Sequence, residues 1–205
     1  MFARTERLLL RPGFAEDAPL LAEALKDEGV ARNLSTLPWP TAPDQAAEFL
    51  TAPEHPLLPR LLMVKRTSGT PRVIGGIGID RHVADDGTAE FSFGYWIARR
   101  YWGLGFATEA GRAVLRMART NGLPRLTASH FIDNPASGAV LRKLGFRPTG
   151  RIILRHNPAR GTAARAALFE EAGDGAVDAV GDITAMRCNG STGGRYGAPI
   201  RRLAA

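Results

Sequence analysis

The amino-acid sequence predicts a mixed α/β domain of the α+β type. Short runs of Leu, Val, Ile and aromatic residues that end at Gly or Pro are typical of strands. Between them lie segments whose apolar residues recur every three and four positions, which is typical of amphipathic helices. The order of the segments is strand, helices, three strands, helix, strand, helix and two strands, with an antiparallel meander in the middle.

The composition limits the class of protein. A chain of 205 residues that is 44% hydrophobic is long enough for one domain with a substantial core. No apolar run approaches the roughly 18 residues of a membrane helix, and the first residues lack the apolar stretch of a secretory signal. The single cysteine, Cys188, cannot form an internal disulfide, so we expect a cytoplasmic protein. The four histidines are scattered, which argues against a metal site.

Each predicted element follows from its own residues. In the first half we predict strands at 7–11, 60–66, 73–79 and 89–97 and helices at 16–26, 30–34 and 44–50. In the second half we predict a helix at 106–119, a helix from Asn134 to Gly145, and strands at 125–132, 146–154 and 163–169. Asp85-Asp86-Gly87 predicts a hairpin between two strands. These segments form a predicted domain over 1–171. Residues 172–205, rich in glycine, are predicted to be a flexible tail, with an ordered dimer contact as the alternative.

The loop before the long predicted helix indicates a site for a polyanion. Gly103 and Gly105 allow the backbone to approach a ligand closely and to turn its amides in one direction. The helix that follows adds the positive end of its dipole and unpaired N–H donors. Neither well-known phosphate motif matches, because no lysine follows these glycines and Thr108 stands where the dinucleotide motif has its third glycine. Judged by this motif alone, the loop could equally be a strand-to-helix turn that binds no anion.

A second strand-to-helix junction, later in the chain, carries further motif residues. The stretch DNPASGAVLRKLGF (133–146) places Asn134 at a helix start and Ser137 one turn into the helix. The loop itself, RYWGLG (100–105), matches the pattern [Arg/Gln]-x-x-Gly-x-[Gly/Ala]. With TERLLLRP near the start, the arrangement resembles the GNAT superfamily of N-acetyltransferases, in particular its ribosomal-protein N-terminal acetyltransferase branch. The likeness covers roughly residues 4 to 170 and implies a mainly antiparallel central sheet of about seven strands flanked by helices.

The resemblance implies acetyl-coenzyme A as co-substrate and no metal. It assigns the pantetheine arm to the backbone of Trp96 and Ile97, at the end of the fourth predicted strand, and to Asn134. It assigns the diphosphate to the loop residues, which are Arg100, Trp102, Gly103, Leu104, Gly105, Phe106, Ala107 and Thr108. Ser137 is expected near the thioester sulfur, and Lys143 or Arg142 at the 3′-phosphate, with a solvated face as the alternative for each of these two cations. The polyanionic cofactor also gives a reason for the net charge of +7.

A general base must take the proton of the attacking amine. Strand alternation places Glu90, Ser92, Gly94 and Trp96 on one face of the fourth predicted strand. Close relatives in the resembling branch often have a glutamate two residues before the glycine, where this chain has Ser92. We therefore hypothesise that Glu90 acts as the base through water, with a solvated edge carboxylate as the alternative. His130 is the rival base, although a lone histidine on an apolar face is more often a core residue.

The same resemblance suggests the acid and the acceptor. It implies Ser137 as the donor to the departing thiolate. Many superfamily members use a tyrosine in this helix, and this chain has none there. Trp39 is expected either in the acceptor wall or as a plug over the sheet.

We expect acetylation of a protein N-terminus, most of all of a ribosomal protein, by direct attack in a ternary complex. The alternatives are a small-molecule amine (an aminoglycoside or polyamine) and a non-catalytic acyl-CoA-binding module. A nucleic-acid-binding protein is favoured only by the basic charge, because no recognition motif is present. We also expect no membrane association, and a monomer or homodimer.

Overall fold

The computed structural model describes residues 1–34, 37–52, 55–67, 71–83 and 87–172. The strands in these ranges are β1 (Ala3–Arg4), β2 (Leu8–Arg11), β3 (Arg60–Lys65), β4 (Arg72–Val83), β5 (Ala89–Ile97), β6 (Thr127–Phe131), β7 (Phe146–Asn157) and β8 (Thr162–Glu171). The α-helices there are α1 (Ala18–Leu25), α2 (Glu28–Ala31), α3 (Pro43–Thr51), α4 (Phe106–Thr120) and α5 (Pro135–Lys143). No helix in these ranges is long and apolar enough to cross a bilayer.

One sheet of eight strands, in the order β1-β2-β3-β4-β5-β6-β8-β7, runs through the domain. Every neighbouring pair is antiparallel except β5 and β6, which run parallel. The prediction of a mixed, mainly antiparallel sheet flanked by helices is confirmed, with one strand more than the sequence predicted. The additional strand is β1, which pairs Ala3 with Leu10 and is too short to carry an alternating pattern.

The parallel pair β5–β6 is joined over a short length. Its paired residues are Ser92 with Thr127 and Phe93 with Ala128, although β5 continues to Ile97 and β6 to Phe131. Beyond Phe93 the facing edges of the two strands therefore border an opening in the middle of the sheet. Backbone N–H and C=O groups that point into this opening have no ladder partner, so they are available to a ligand.

Two hydrophobic clusters cover the two faces of the sheet. The larger cluster joins α4 and α5 to the sheet, and in it the rings of Phe93 and Phe146 stack with centroids 5.6 Å apart. The smaller cluster joins α1, α2 and α3 to the other face and includes Leu21, Leu50 and Leu62. We call these the helix α4–α5 face and the helix α1–α3 face. The predicted apolar stripe of α4 is confirmed, because it lies buried in the larger cluster.

Strand lengths differ from the sequence prediction where polar residues continue a ladder. β4 extends past the apolar run that ends at Ile79, because its pairing with β5 continues to Val83 and Ala89. β7 likewise extends to Asn157, which is fully buried and donates to the carbonyls of Ala31 and Leu34. Of the predicted hairpin, positions 85 and 86 lie outside the described residues, as do positions 173–205 of the predicted tail.

Candidate active site

A cavity of about 660 Å³ lies at the opening between β5 and β6. On the helix α4–α5 face its wall comes from the loop after β5 and from the N-terminal ends of α4 and α5. On the helix α1–α3 face the wall comes from β4, β5, β6, β7 and α3. The cavity therefore connects a site beside two helix N-termini with a second site across the sheet, and its volume is typical of cofactor and substrate sites.

The predicted anion loop has the backbone that such a site requires. Gly103 and Gly105 have φ of 73° and 81°, in the left-handed region that favours glycine. Gly105 is the N-cap of α4 and no side chain caps this helix. The first bond into the helix is from the amide of Glu109 to the carbonyl of Gly105, at 3.0 Å. The first-turn amides of Phe106, Ala107 and Thr108 therefore have no acceptor within the helix and are available to an anion.

Most of the loop residues predicted for the cofactor line the cavity. They are Trp102, Gly103, Gly105, Phe106, Ala107 and Thr108. Leu104 does not line it, and its carbonyl accepts a hydrogen bond of 3.0 Å from Arg7. Arg100 also lies outside the wall, exposed, with its guanidinium 5.0 Å above the ring of Tyr101. The residue type at position 100 thus fits the motif, while its side chain contacts the neighbouring aromatic ring.

The N-terminal segment fixes the loop from outside. Glu109, in the first turn of α4, accepts hydrogen bonds from the Thr5 hydroxyl (2.6 Å), the Arg7 amide (2.8 Å) and the Arg7 guanidinium (2.7 Å). Burial would raise the pKa of the Glu109 carboxyl, but these bonds and the charge of Arg7 outweigh it and hold the pKa below its usual range. Nothing in the spacing of TERLLLRP indicates a partner about 100 positions away, so these contacts could not be predicted from the sequence.

The end of β5 presents its backbone to the opening. The amide of Ala98 donates to Ile74 of β4 at 2.9 Å, so the backbone groups of the preceding residue, Ile97, point the other way, into the opening. The indole of Trp102 donates to the Ile97 carbonyl at 2.6 Å. By the same alternation the backbone groups of Trp96 point towards β4, while its indole lies over Gly76 and lines the cavity. Of the two predicted backbone contacts, Ile97 is the one directed at the cavity.

The junction at α5 brings three polar side chains together. The Asn134 side-chain oxygen accepts the Ser137 amide at 3.3 Å and caps the helix, as predicted from the sequence. The Tyr95 hydroxyl donates to the Ser137 hydroxyl at 3.1 Å. Burial raises the pKa of the Tyr95 phenol, with the bond to Ser137 opposing the rise, so this phenol keeps its proton at neutral pH. All three residues line the cavity.

The role of Tyr95 could not be predicted from the sequence, because alternation places it on the apolar face of the strand, opposite to Glu90, Ser92 and Gly94. At the other end of α5, Lys143 lines the cavity, whereas Arg142 lies 5.5 Å from the Phe169 ring, outside the wall. Of the two residues that the sequence left open for the 3′-phosphate, only Lys143 lies in the cavity wall.

His130 lies on the helix α4–α5 face, wedged between β6 and α5. Its Nδ1 is 2.8 Å from the carbonyl of Phe131, and its ring lies 5.4 Å from the ring of Phe169. A Cβ on Gly138 would come within 2.6 Å of its Nε2, so the helix packs directly on the imidazole. His130 is half-buried and also lines the cavity, so it stays the rival candidate for the base.

The helix α1–α3 face carries the groups that could act on an acceptor. The cross-strand pairs are Asp80 with Ser92 and His82 with Glu90, on the same face as the pair Gly78 and Gly94. Asp80, Ser92 and His82 line the cavity, whereas Glu90 is exposed and lies outside the wall. Asp80 therefore presents a carboxylate directly across from Ser92, 3.7 Å from Arg60. The position of Asp80 across from Ser92 depends on the register between β4 and β5, so it could not be predicted from the sequence.

The apolar part of the acceptor wall comes from the helices over this face. Phe49 and Leu50 of α3 line the cavity, together with Leu34 after α2. Trp39 is 36% exposed and does not line the cavity, so the structure does not place it in the predicted acceptor wall.

The chain matches the family model of the acetyltransferase (GNAT) domain over residues 7–147. An uncharacterised N-acetyltransferase of Bacillus licheniformis, p20, is 29% identical over 171 residues, a match that covers 80% of this chain and 92% of that protein.

Solved structures share the fold. The ribosomal-protein-S5-alanine acetyltransferase from Vibrio fischeri superposes with a TM-score of 0.68 at 18% identity, covering 85% of this chain and 98% of that chain. RimL, a ribosomal L7/L12 alpha-N-protein acetyltransferase in complex with coenzyme A, superposes with a TM-score of 0.66 at 17% identity, covering 83% and 97%. At these identities the likeness shows a common fold.

Proposed function

Because the chain belongs to the GNAT acetyltransferase family, we propose that it transfers an acetyl group from acetyl-coenzyme A to a primary amine by direct attack in a ternary complex. The observation that carries the proposal is the opening between β5 and β6 beside the uncapped first turn of α4. The opening offers unpaired strand amides to an extended arm, and the helix start offers N–H donors to a diphosphate. These donors fit coenzyme A.

We assign each part of the cofactor to residues of the wall. The amides from Trp102 to Thr108 hold the diphosphate, and the backbone of Ile97 holds the pantetheine arm. Asn134 contacts the arm through its side chain, and Lys143 pairs with the 3′-phosphate. The cofactor supplies the activated acyl thioester. The chain's own residues position it and manage two protons.

The reaction moves one acyl group from sulfur to nitrogen, while one proton leaves the amine and another reaches the thiolate. The amine nitrogen forms a bond to the thioester carbonyl carbon, and the carbon–sulfur bond breaks. A strand amide directed at the opening donates to the carbonyl oxygen while negative charge develops there. The Ser137 hydroxyl donates its proton to the departing thiolate, and Tyr95, hydrogen-bonded to Ser137, positions this hydroxyl and replaces its proton. Solvent then returns a proton to Tyr95 and takes the amine proton from the base.

The base removes the proton from the attacking amine. Glu90 acting through water remains our hypothesis from the sequence. Asp80 is the second candidate, because its carboxylate lines the cavity across from Ser92. Both lie on the face from which the acceptor would enter, opposite the helix face that holds the cofactor.

For the acceptor we propose a protein N-terminus, as in the ribosomal-protein acetyltransferases that share the fold. A small-molecule amine is the alternative. Ser92, where close relatives of the resembling branch often have a glutamate, favours a third reading, a module that binds acyl-CoA without turnover.

One experiment separates these three. Coenzyme A release from acetyl-coenzyme A is measured with peptides, polyamines and aminoglycosides, and calorimetry measures the binding of both forms of the cofactor. Turnover on peptides supports the proposal, turnover on small amines alone supports the alternative, and binding without turnover supports the module. If calorimetry detects neither form of the cofactor, the proposed function is wrong.

A further inference from the structure

Arg155 of β7 is a half-buried cation in the acceptor side of the cavity. Its guanidinium donates to the Ser129 hydroxyl at 2.9 Å, and no ion pair among the described residues includes it. Burial lowers the pKa of Arg155, and the charge of Asp80 opposes this without direct contact. Buried cations are normally paired with an anion. An unpaired one in a cavity wall is therefore suited to an anionic ligand.

The position of Arg155 relates it to the reacting groups. The last residue of β6 paired with β5 is Ala128, opposite Phe93, so Ser129 and Gly94 occupy corresponding positions across the opening. Ser129 accepts a hydrogen bond from Arg155, which leaves its O–H free to donate. The wall therefore offers a guanidinium and a hydroxyl to one ligand group at the edge of the opening.

A buried side-chain oxygen on the same side of the cavity lacks a hydrogen-bond donor. The Asn33 side chain lines the cavity and donates to the Gly29 carbonyl at 2.8 Å, but its buried Oδ1 has no hydrogen-bond partner within the described ranges. Asn157, two residues along β7 from Arg155, donates to the carbonyl of Leu34 and so holds this segment beside β7. A buried acceptor without a donor is rare in folded proteins. A ligand N–H would satisfy it.

We propose that this part of the wall is a subsite for a carboxylate, so that the preferred acceptor is an amine whose molecule also carries a carboxylate bound by Arg155 and Ser129. The inference rests on the proposed function and names its substrate class. A carboxylate fits this part of the wall because its two oxygens can accept from the Arg155 guanidinium and from the Ser129 hydroxyl. Arg60 offsets the charge of Asp80 in the same wall. The carboxylate comes from an acidic side chain near a peptide N-terminus or from a small amino acid. In either case an N–H group of the acceptor donates to Asn33 Oδ1.

The test uses pairs of acceptors that differ only in carboxylate against carboxamide. For a peptide source the pair is Ala-Glu-Ala-Ala-amide and Ala-Gln-Ala-Ala-amide, and for a small-molecule source it is 4-aminobutanoate and 4-aminobutanamide. The wild-type protein should show a kcat/KM at least about 10-fold higher for the carboxylate member of one pair, mainly through KM. The pair that shows the preference identifies the source.

Arg155→Met should reduce the ratio of kcat/KM between the carboxylate and carboxamide acceptors to near one. Arg155→Lys should retain part of the preference for the carboxylate. The matched control is Arg151→Met, on the same strand but outside the cavity wall, which should keep the full preference. Thermal unfolding of each variant excludes a loss of fold. Equal kcat/KM within both pairs, or a preference that persists in Arg155→Met, overturns the subsite while the proposed function stands. Cofactor binding without turnover on any amine overturns the proposed function itself, and the subsite with it.

Discussion

Two glycines at opposite ends of the same helix allow the cofactor loop to be tested against a matched control. Gly103 in the loop has φ of 73° and Gly122 after α4 has φ of 69°, and a Cβ at either position would meet no atom within 4 Å. Alanine at either position therefore causes the same backbone strain and no clash. We expect each variant to lose about 1–2 kcal/mol of stability, measured by urea unfolding.

The two variants should differ in cofactor affinity. A shift of the backbone at Gly103 moves the amides that we propose for the diphosphate, and a hydrogen bond to a charged group contributes about 1.5–3 kcal/mol. Gly103→Ala should therefore weaken coenzyme A binding by about 10- to 150-fold in Kd. Gly122→Ala should leave it unchanged. Isothermal titration calorimetry with coenzyme A measures both, and equal affinities in the two variants would refute the assignment of the diphosphate to this loop.

Three further predictions concern the catalytic groups and the loop support. Ser137→Ala should lower kcat more than cofactor affinity, and Tyr95→Phe should lower kcat less than Ser137→Ala does; unchanged turnover in both would remove them from the acid role. The pH–rate profile should change in Glu90→Gln if Glu90 is the base, and in Asp80→Asn if Asp80 is; an unaltered acid limb in both variants would leave His130 or solvent as the base. The lowered pKa of Glu109 means that its carboxylate contributes stability above the unfolded pKa and loses it as pH falls through the lower, folded pKa. Glu109→Gln should therefore be less stable than wild type at pH 7, with the difference vanishing in acid unfolding experiments below about pH 4; a constant difference across that range would contradict the pairing.

Local patterns were sufficient to predict the helices α4 and α5 and the glycine loop that precedes α4. The apolar spacing of α4 gave its bounds to within one residue, and the Asn-Pro pair before α5 gave its cap, because both depend on interactions within one turn. The glycines at 103 and 105 were recognisable because left-handed backbone restricts the residue type. Each of these features depends on residues that are close together in the chain.

The acceptor side could not be predicted in the same way. Asp80 faces Ser92 only because of the register between β4 and β5. Arg155 reaches Ser129 across β8, which lies between their strands in the sheet. Tyr95 meets Ser137 because α5 lies over the end of β5. Alternation predicts the face on which each side chain lies, but not what a distant segment places opposite it.

The contacts of Glu109 with Thr5 and Arg7 tie the diphosphate loop to a segment about 100 positions earlier in the chain. Contacts of such high sequence separation form late, since a long loop must close before they are made. During refolding, α4 can become helical while the loop at its start is still unsupported. Coenzyme A affinity should consequently appear only when β2 has joined the sheet, so it reports completion of the tertiary structure and not the formation of the helix that carries the site.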